Sequence, residues 1–147
     1  MSPEEYFNEA KNKIALPSDA KLTSAYAFGV NPDQLAKLVK DGIKTATTSA
    51  YDLYEKDEPL PKIGEYDVIL DGNKNPECIT YTDNVEIKIF NDVNDLHAFR
   101  EGEGDRSLKY WRKVHKEFFE DEYQNDGSTF NPETSKMILE TFHVIYK

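Results

Sequence analysis

The 147-residue sequence holds a single cysteine, Cys78. No intrachain disulfide, Cys-based zinc site or iron–sulfur cluster can be built from it. No apolar run approaches the ~18 residues of a membrane span. The N-terminus, MSPEEYFNEAKNK, lacks the basic-then-apolar layout of a signal segment. There is no internal repeat, no phosphate-loop or dinucleotide glycine pattern, and no Ser–His–acid order that can be defended. Basic residues are in deficit: 18 Lys and Arg stand against 28 Asp and Glu, a net charge of -10. Such a chain is a poor generic nucleic-acid binder, because non-specific affinity comes from neutralising phosphates. The expectation is a soluble cytoplasmic domain with no membrane partner, no cofactor and an open oligomeric state.

Aromatic residues, at 12%, are too many for a disordered chain. The length suits one domain able to bury a core without staples. The charge is unevenly spread. Residues 106–116, RSLKYWRKVHK, carry five Lys or Arg and no acid, so the rest of the chain carries -15 (-10 minus 5). That segment is either a docking strip for an anion or a solvated helix face.

Local signals place most elements. Ser2-Pro3-Glu4-Glu5 has the order of a helix start, and Pro17 follows a helix that runs to about Ala15. Asn31-Pro32-Asp33 repeats the pattern ahead of the Leu35, Leu38 and Val39 stripe, with Gly42 as C-terminal cap, giving a helix over 32–41. The threonines of Ile43–Ser49 suit a strand, and 50–56 a short helix. Strands follow at 65–71 and 77–90, the second bent near Asp83-Asn84. A short helix over 94–101 and a loop, Glu101–Asp105, lead to Ser107, which caps a helix over 108–123. On that helix Leu108, Trp111, His115, Phe118 and Phe119 share one face, opposite Lys109, Arg112, Lys113 and Lys116. The last strand spans 136–146. This order predicts an α+β fold with a mostly antiparallel sheet that can close into a small barrel.

Three features can carry chemistry. Gly42-Ile43-Lys44-Thr45-Ala46-Thr47 sits where a helix hands over to a strand. Lys44 beside the Thr47 hydroxyl can hold an anion or, if desolvated enough to lose its proton, act as a base. Glu101-Gly102-Glu103-Gly104-Asp105 packs three carboxylates, which suggests a hard-metal site, acceptors for a ligand, or an acidic turn before a helix. Crowding there is expected to raise the pKa of Glu101 or Glu103, while a contact with Lys44 would pull it the other way. Third, Trp111 and His115 share an apolar face, where His115 is either a core residue or one that reaches a cleft.

Taken together, Ala25-Tyr26-Ala27-Phe28-Gly29, the GIKTAT run, Pro61 with Gly64, EGEGD and Tyr110-Trp111-Arg112 with His115 and Phe118-Phe119 resemble the larger bacterial branch of the ASCH-domain family. The resemblance covers about residues 25–146, leaving 1–20 as an N-terminal helical extension of a single domain. It implies a PUA-like β-barrel related to RNA-binding domains, with a cleft between barrel and helices lined by the GxKxxT segment. A small bacterial relative is similar to an amidohydrolase acting on acylated cytidine, and another resembles a ribonuclease. The amidohydrolase's working Lys, Thr and Glu fall here on Lys44, Thr47 and Glu101, the last within His97-Ala98-Phe99-Arg100-Glu101. That enzyme lacks the Gly-Glu-Gly-Asp extension and the Trp111/His115 helix.

The implied functions are binding of an RNA segment or a modified nucleoside or nucleotide, amide hydrolysis of N-acylated nucleosides, and metal-assisted or ribonuclease chemistry on the EGEGD acids. For the first, ligand contacts are expected from Phe28, Glu103, Asp105, Trp111, Arg112, His115 and Lys116, with Arg112 and Lys116 receiving a phosphate. For the second, Thr47 is the nucleophile, Lys44 its base, and Glu101 orients the pair or passes the proton.

Overall fold

The computed structural model describes residues 1–147. Its elements run α1 (Pro3–Lys13), β1 (Leu22–Tyr26), α2 (Pro32–Lys40), β2 (Ala46–Ala50), β3 (Tyr66–Leu70), β4 (Pro76–Ile89), α3 (Asp95–Glu101), α4 (Leu108–Asn125) and β5 (Lys136–Tyr146). The short helix expected at 50–56 is a single 3-10 turn at Tyr51–Leu53.

Two helix starts follow the serine caps. Ser2 accepts from the Glu5 amide and Ser107 from the Tyr110 amide, each satisfying a donor that the first helical turn leaves free. Asn31 does not cap α2. It takes a left-handed φ of 47° and makes no capping bond, and Pro32 presets the first turn instead. The Asp33 carboxylate is drawn to the Gly72 amide at 2.7 Å.

The five strands form one mixed sheet in the order β1-β3-β4-β5-β2. β3–β4, β4–β5 and β5–β2 are antiparallel, whereas β1 pairs with β3 in parallel. The register of β4 on β5 shifts between Thr82 and Asn84, at the expected bend, and beyond it β4 pairs with β5 alone. The sheet does not close: β1 and β2 are its edges and share no backbone hydrogen bonds. After Tyr26 the chain turns off toward α2, so β1 is too short to reach β2. Side chains fill the seam instead, with the Phe28 ring 5.3 Å from the Lys44 ammonium.

Both faces of the sheet are covered, which is why β3 reads as a continuous apolar run after Asp67. Val68 and Leu70 pack with Phe7 and Ala10 of α1. Ile69 faces the other way, onto Ala36 and Val39 of α2 with Phe142. The N-terminal helix is therefore part of the core. A third cluster joins α3 and α4 to β5 through Ala98, Trp111, Phe119, Met137 and Leu139. No helix is long and apolar enough to cross a membrane.

Candidate functional site

The site forms where the α2–β2 handover meets the end of α3. Gly42, at φ 76°, ends α2, and the Ile43 and Lys44 amides donate back to the Leu38 carbonyl at 2.9 and 3.0 Å. The Thr45 amide then donates to the Arg100 carbonyl at 2.7 Å, tying β2 to the last turn of α3. Lys44 is thereby turned inward and is only 1% exposed, as is Glu101.

Around Lys44 the buried polar groups close on one another. Its ammonium donates to Glu101 Oε1 at 3.0 Å, to Glu103 Oε2 at 2.9 Å and to the Ala46 carbonyl at 2.9 Å. Glu101 Oε2 accepts from the Thr48 hydroxyl at 2.6 Å and from the Trp111 indole at 2.7 Å, with His97 Nε2 at 3.0 Å. His97 Nε2 also lies 2.8 Å from the Thr48 oxygen. His115 Nδ1 donates to the Trp111 carbonyl at 2.9 Å, and its Nε2 stands 3.5 Å from Glu101 Oε1. Its ring stacks on Trp111 with centroids 4.3 Å apart. No buried side-chain polar atom in the molecule lacks a partner.

This arrangement fixes charge states. Burial favours the neutral form of Glu101, but Lys44 and His115 outweigh it and hold the carboxyl well below its ordinary range. Burial likewise works against the Lys44 ammonium, but Glu101 and Glu103 prevail and its pKa is raised. His115 is raised for the same reason, burial being outweighed by Glu101 and then Glu103. The expected upward shift at Glu101 is thus reversed, because a resident cation stands among the acids. Lys44 is no proton acceptor for a threonine; it is a fixed cation.

The loop that delivers Glu103 depends on glycines. Gly102 and Gly104 have φ of 73° and 59°, and a Cβ on Gly104 would run into the Tyr110 ring. Arg106 clamps the loop from outside: it lies over the Phe99 ring at 3.7 Å and donates to the Phe99 and Ile43 carbonyls.

A cavity of about 150 Å³ opens at the seam between β1 and β2, lined by Phe28, Lys44, Thr47, Thr48, Glu101, Glu103, Tyr110, His115 and Phe118 among others. Lys44, Thr47 and Glu101 thus line one cavity. No hydrogen bond joins Lys44 to Thr47, and the hydroxyl on Glu101 is that of Thr48. Trp111 lies behind the cavity as a buried donor to Glu101. His115 is both core-bonded and cavity-lining. Asp105 stays out, accepting from the Ser107 amide at the start of α4. Arg112 and Lys116 also stay out: they line a separate groove with Asn91 and Glu133, and Arg112 donates to the Asn91 carbonyl. The phosphate position expected on α4 is therefore not beside this cavity.

Sequence reasoning missed Thr48 as a Glu101 partner. The signal was the alternation in β2, where Thr48 lies between buried Ala46 and Ala50 on one face. Glu101, Glu103 and His115 each bring a ligand atom within 4.8 Å of the others, a spacing that suits a metal ion. The Lys44 ammonium already stands between the two carboxylates and supplies the charge such an ion would bring.

Comparison with known proteins agrees with this architecture. The ASCH domain family model matches residues 24–146, and the chain belongs to that family. An ASCH domain from Lactobacillus crispatus JV V101 is 27% identical, covers 99% of this chain and 94% of its own, and superimposes with a TM-score of 0.91. A protein from Enterococcus faecalis V583 is 33% identical over 99% of this chain and 93% of its own, with a TM-score of 0.86. No curated protein matches.

Proposed function

We propose that this ASCH domain binds one heterocyclic ring of a nucleoside, nucleotide or RNA end in the seam cavity. A single observation carries the reading: Phe28, Tyr110 and Phe118 wall a cavity whose polar lining includes the Thr47 hydroxyl and the Glu103 carboxylate, the latter held in place by Lys44. Aromatic walls take the face of any base, and fixed polar groups read its edge. At about 150 Å³ the cavity is below the roughly 300–1,000 Å³ of whole drug-sized ligand sites, which favours a ring over a larger group. The net charge of -10 favours a nucleoside or a single-stranded end over a duplex.

Calorimetric titration with cytidine, an N-acylated cytidine and a short single-stranded RNA tests this. Saturable binding, weakened in Phe28→Ala and Glu103→Gln, is the expected result. No binding by any of the three, or affinities unchanged in both variants, overturns it.

A second reading, hydrolysis of N-acylated nucleosides, is favoured by Lys44, Thr47 and Glu101 lining the same cavity. In that reading Lys44 stabilises developing negative charge instead of acting as base. Turnover of acylated cytidine followed in the ultraviolet, lost in Thr47→Ala or Thr48→Ala, supports the enzyme; saturable binding without turnover leaves the binding module.

A further inference from the structure

His97 backs the buried contact between Glu101 and Thr48. Its Nε2 faces Glu101 and Thr48, while the ring lines a second cavity of about 170 Å³ between α3 and the β4–β5 arm. The residue is 6% exposed, and its Nδ1 makes no hydrogen bond within the protein, whereas every fully enclosed polar atom has a partner. Nδ1 is therefore not fully enclosed. Glu101 Oε2 only accepts, and it receives the Thr48 hydroxyl hydrogen, so Nε2 carries the hydrogen it shares with these two oxygens. In the neutral ring Nδ1 is then a bare acceptor.

The groups around this second cavity are mainly donors. Arg100, one turn along α3 from His97, has a guanidinium with no partner and lines the cavity. Lys88 of β4 joins it, loosely paired with Glu86 at 3.7 Å. Asn94 spends its oxygen on the His97 amide at 3.0 Å, leaving its NH₂ group free. Arg100 and Lys88 outnumber Glu86, so the cavity carries a net positive charge in a chain of net charge -10.

We propose that the cavity behind His97 binds a phosphoryl group, free or on a nucleotide. Hydrogen phosphate fits both halves of the lining. Its ionised oxygens accept from the Arg100 fork and Lys88, and its P–OH donates to Nδ1. This site lies on α3 and β4, not on the basic face of α4.

The test is titration of the ¹⁵N-labelled protein with inorganic phosphate, read at the ring nitrogens of His97. A saturable shift of Nδ1 is expected, weakened about tenfold in Arg100→Gln, the loss of a charge-assisted hydrogen bond, and unchanged in Arg112→Gln. Sulfate, which has no proton to give at neutral pH, binds more weakly than phosphate. Half-saturation by a nucleoside monophosphate below that by phosphate assigns the group to a nucleotide, and the reverse order to free phosphate. A shift that does not saturate, an affinity unaltered by Arg100→Gln, or a loss confined to Arg112→Gln overturns the proposal.

Discussion

The Trp111 indole nitrogen lies 2.7 Å from Oε2 of Glu101, a buried hydrogen bond between α4 and the end of α3. Trp111 is thus more than core filling. It supplies one of the donors that keep a fully desolvated carboxylate ionised, and that carboxylate in turn holds Lys44.

Trp111→Phe separates the two roles. It keeps an aromatic ring against Phe90 but removes the donor. A hydrogen bond to a charged group is worth ~1.5–3 kcal/mol, and chemical denaturation is expected to show a loss of that size. Trp111→Ala adds a cavity and is expected to cost ~3–5 kcal/mol.

Lys44→Met leaves Glu101 buried without its main counter-charge. Breaking a buried pair from one side costs ~3–5 kcal/mol. The double variant Lys44→Met/Glu101→Gln is expected to recover part of that loss, since neither charge then stands alone. A double variant as unstable as the sum of the singles would show that the pair is not coupled.

Gly104→Ala is expected to disturb the site more than Gly42→Ala. Both positions have positive φ, which costs any other residue ~1 kcal/mol. Only at Gly104 does the new methyl clash with the Tyr110 ring; at Gly42 it meets open space. Gly104→Ala should shift Tyr110 resonances and weaken ligand binding, while Gly42→Ala loses stability alone.

Glu140 gives the pH dependence a definite sign. Burial, with Asp67 and Glu65 nearby, pushes its carboxyl up to about 7 from 4.5. The folded state therefore holds a proton that the unfolded chain releases near 4.5. The associated stability, ~3 kcal/mol at ~1.4 kcal/mol per unit, is complete below about 4.5 and lost as pH rises through 7. Glu101 acts oppositely: its lowered pKa contributes stability above the unfolded value that fades as pH falls. Glu140→Gln should remove the loss between pH 5 and 8 in thermal melts and leave the acid limb in place.

What was legible in the sequence was local. Ser2 and Ser107 announce their helices because a cap needs only its own next three residues. The bend in β4 shows at Asp83-Asn84, and β5 reads directly from KMILETFHVIY. β1 was missed because LTSAY is short, half exposed and without alternation; its identity comes from β3, more than forty residues on. The open seam escaped notice for the same reason, since closure depends on where the chain goes after Tyr26. At the site, the family resemblance brought Lys44, Thr47 and Glu101 to one cavity. It could not reveal that Thr48 holds Glu101, or that His97 lines a cavity other than that one. Arg112 and Lys116 were placed by charge alone, and charge says nothing about which side of α4 meets the sheet.

The central position of β5 also orders events during synthesis. It lies between β4 and β2, so until residues 136–146 emerge from the ribosome β2 has no strand partner and the outer arm of β4 no neighbour. Thr48 is then unanchored, and the Lys44–Glu101 pair lacks the sheet beneath it. The parallel β1–β3 pair and α1 can assemble beforehand, because every residue they need has already been made. The nascent chain should therefore acquire protease resistance in two stages, the N-terminal layer first and the cavity only once residues 136–146 have emerged.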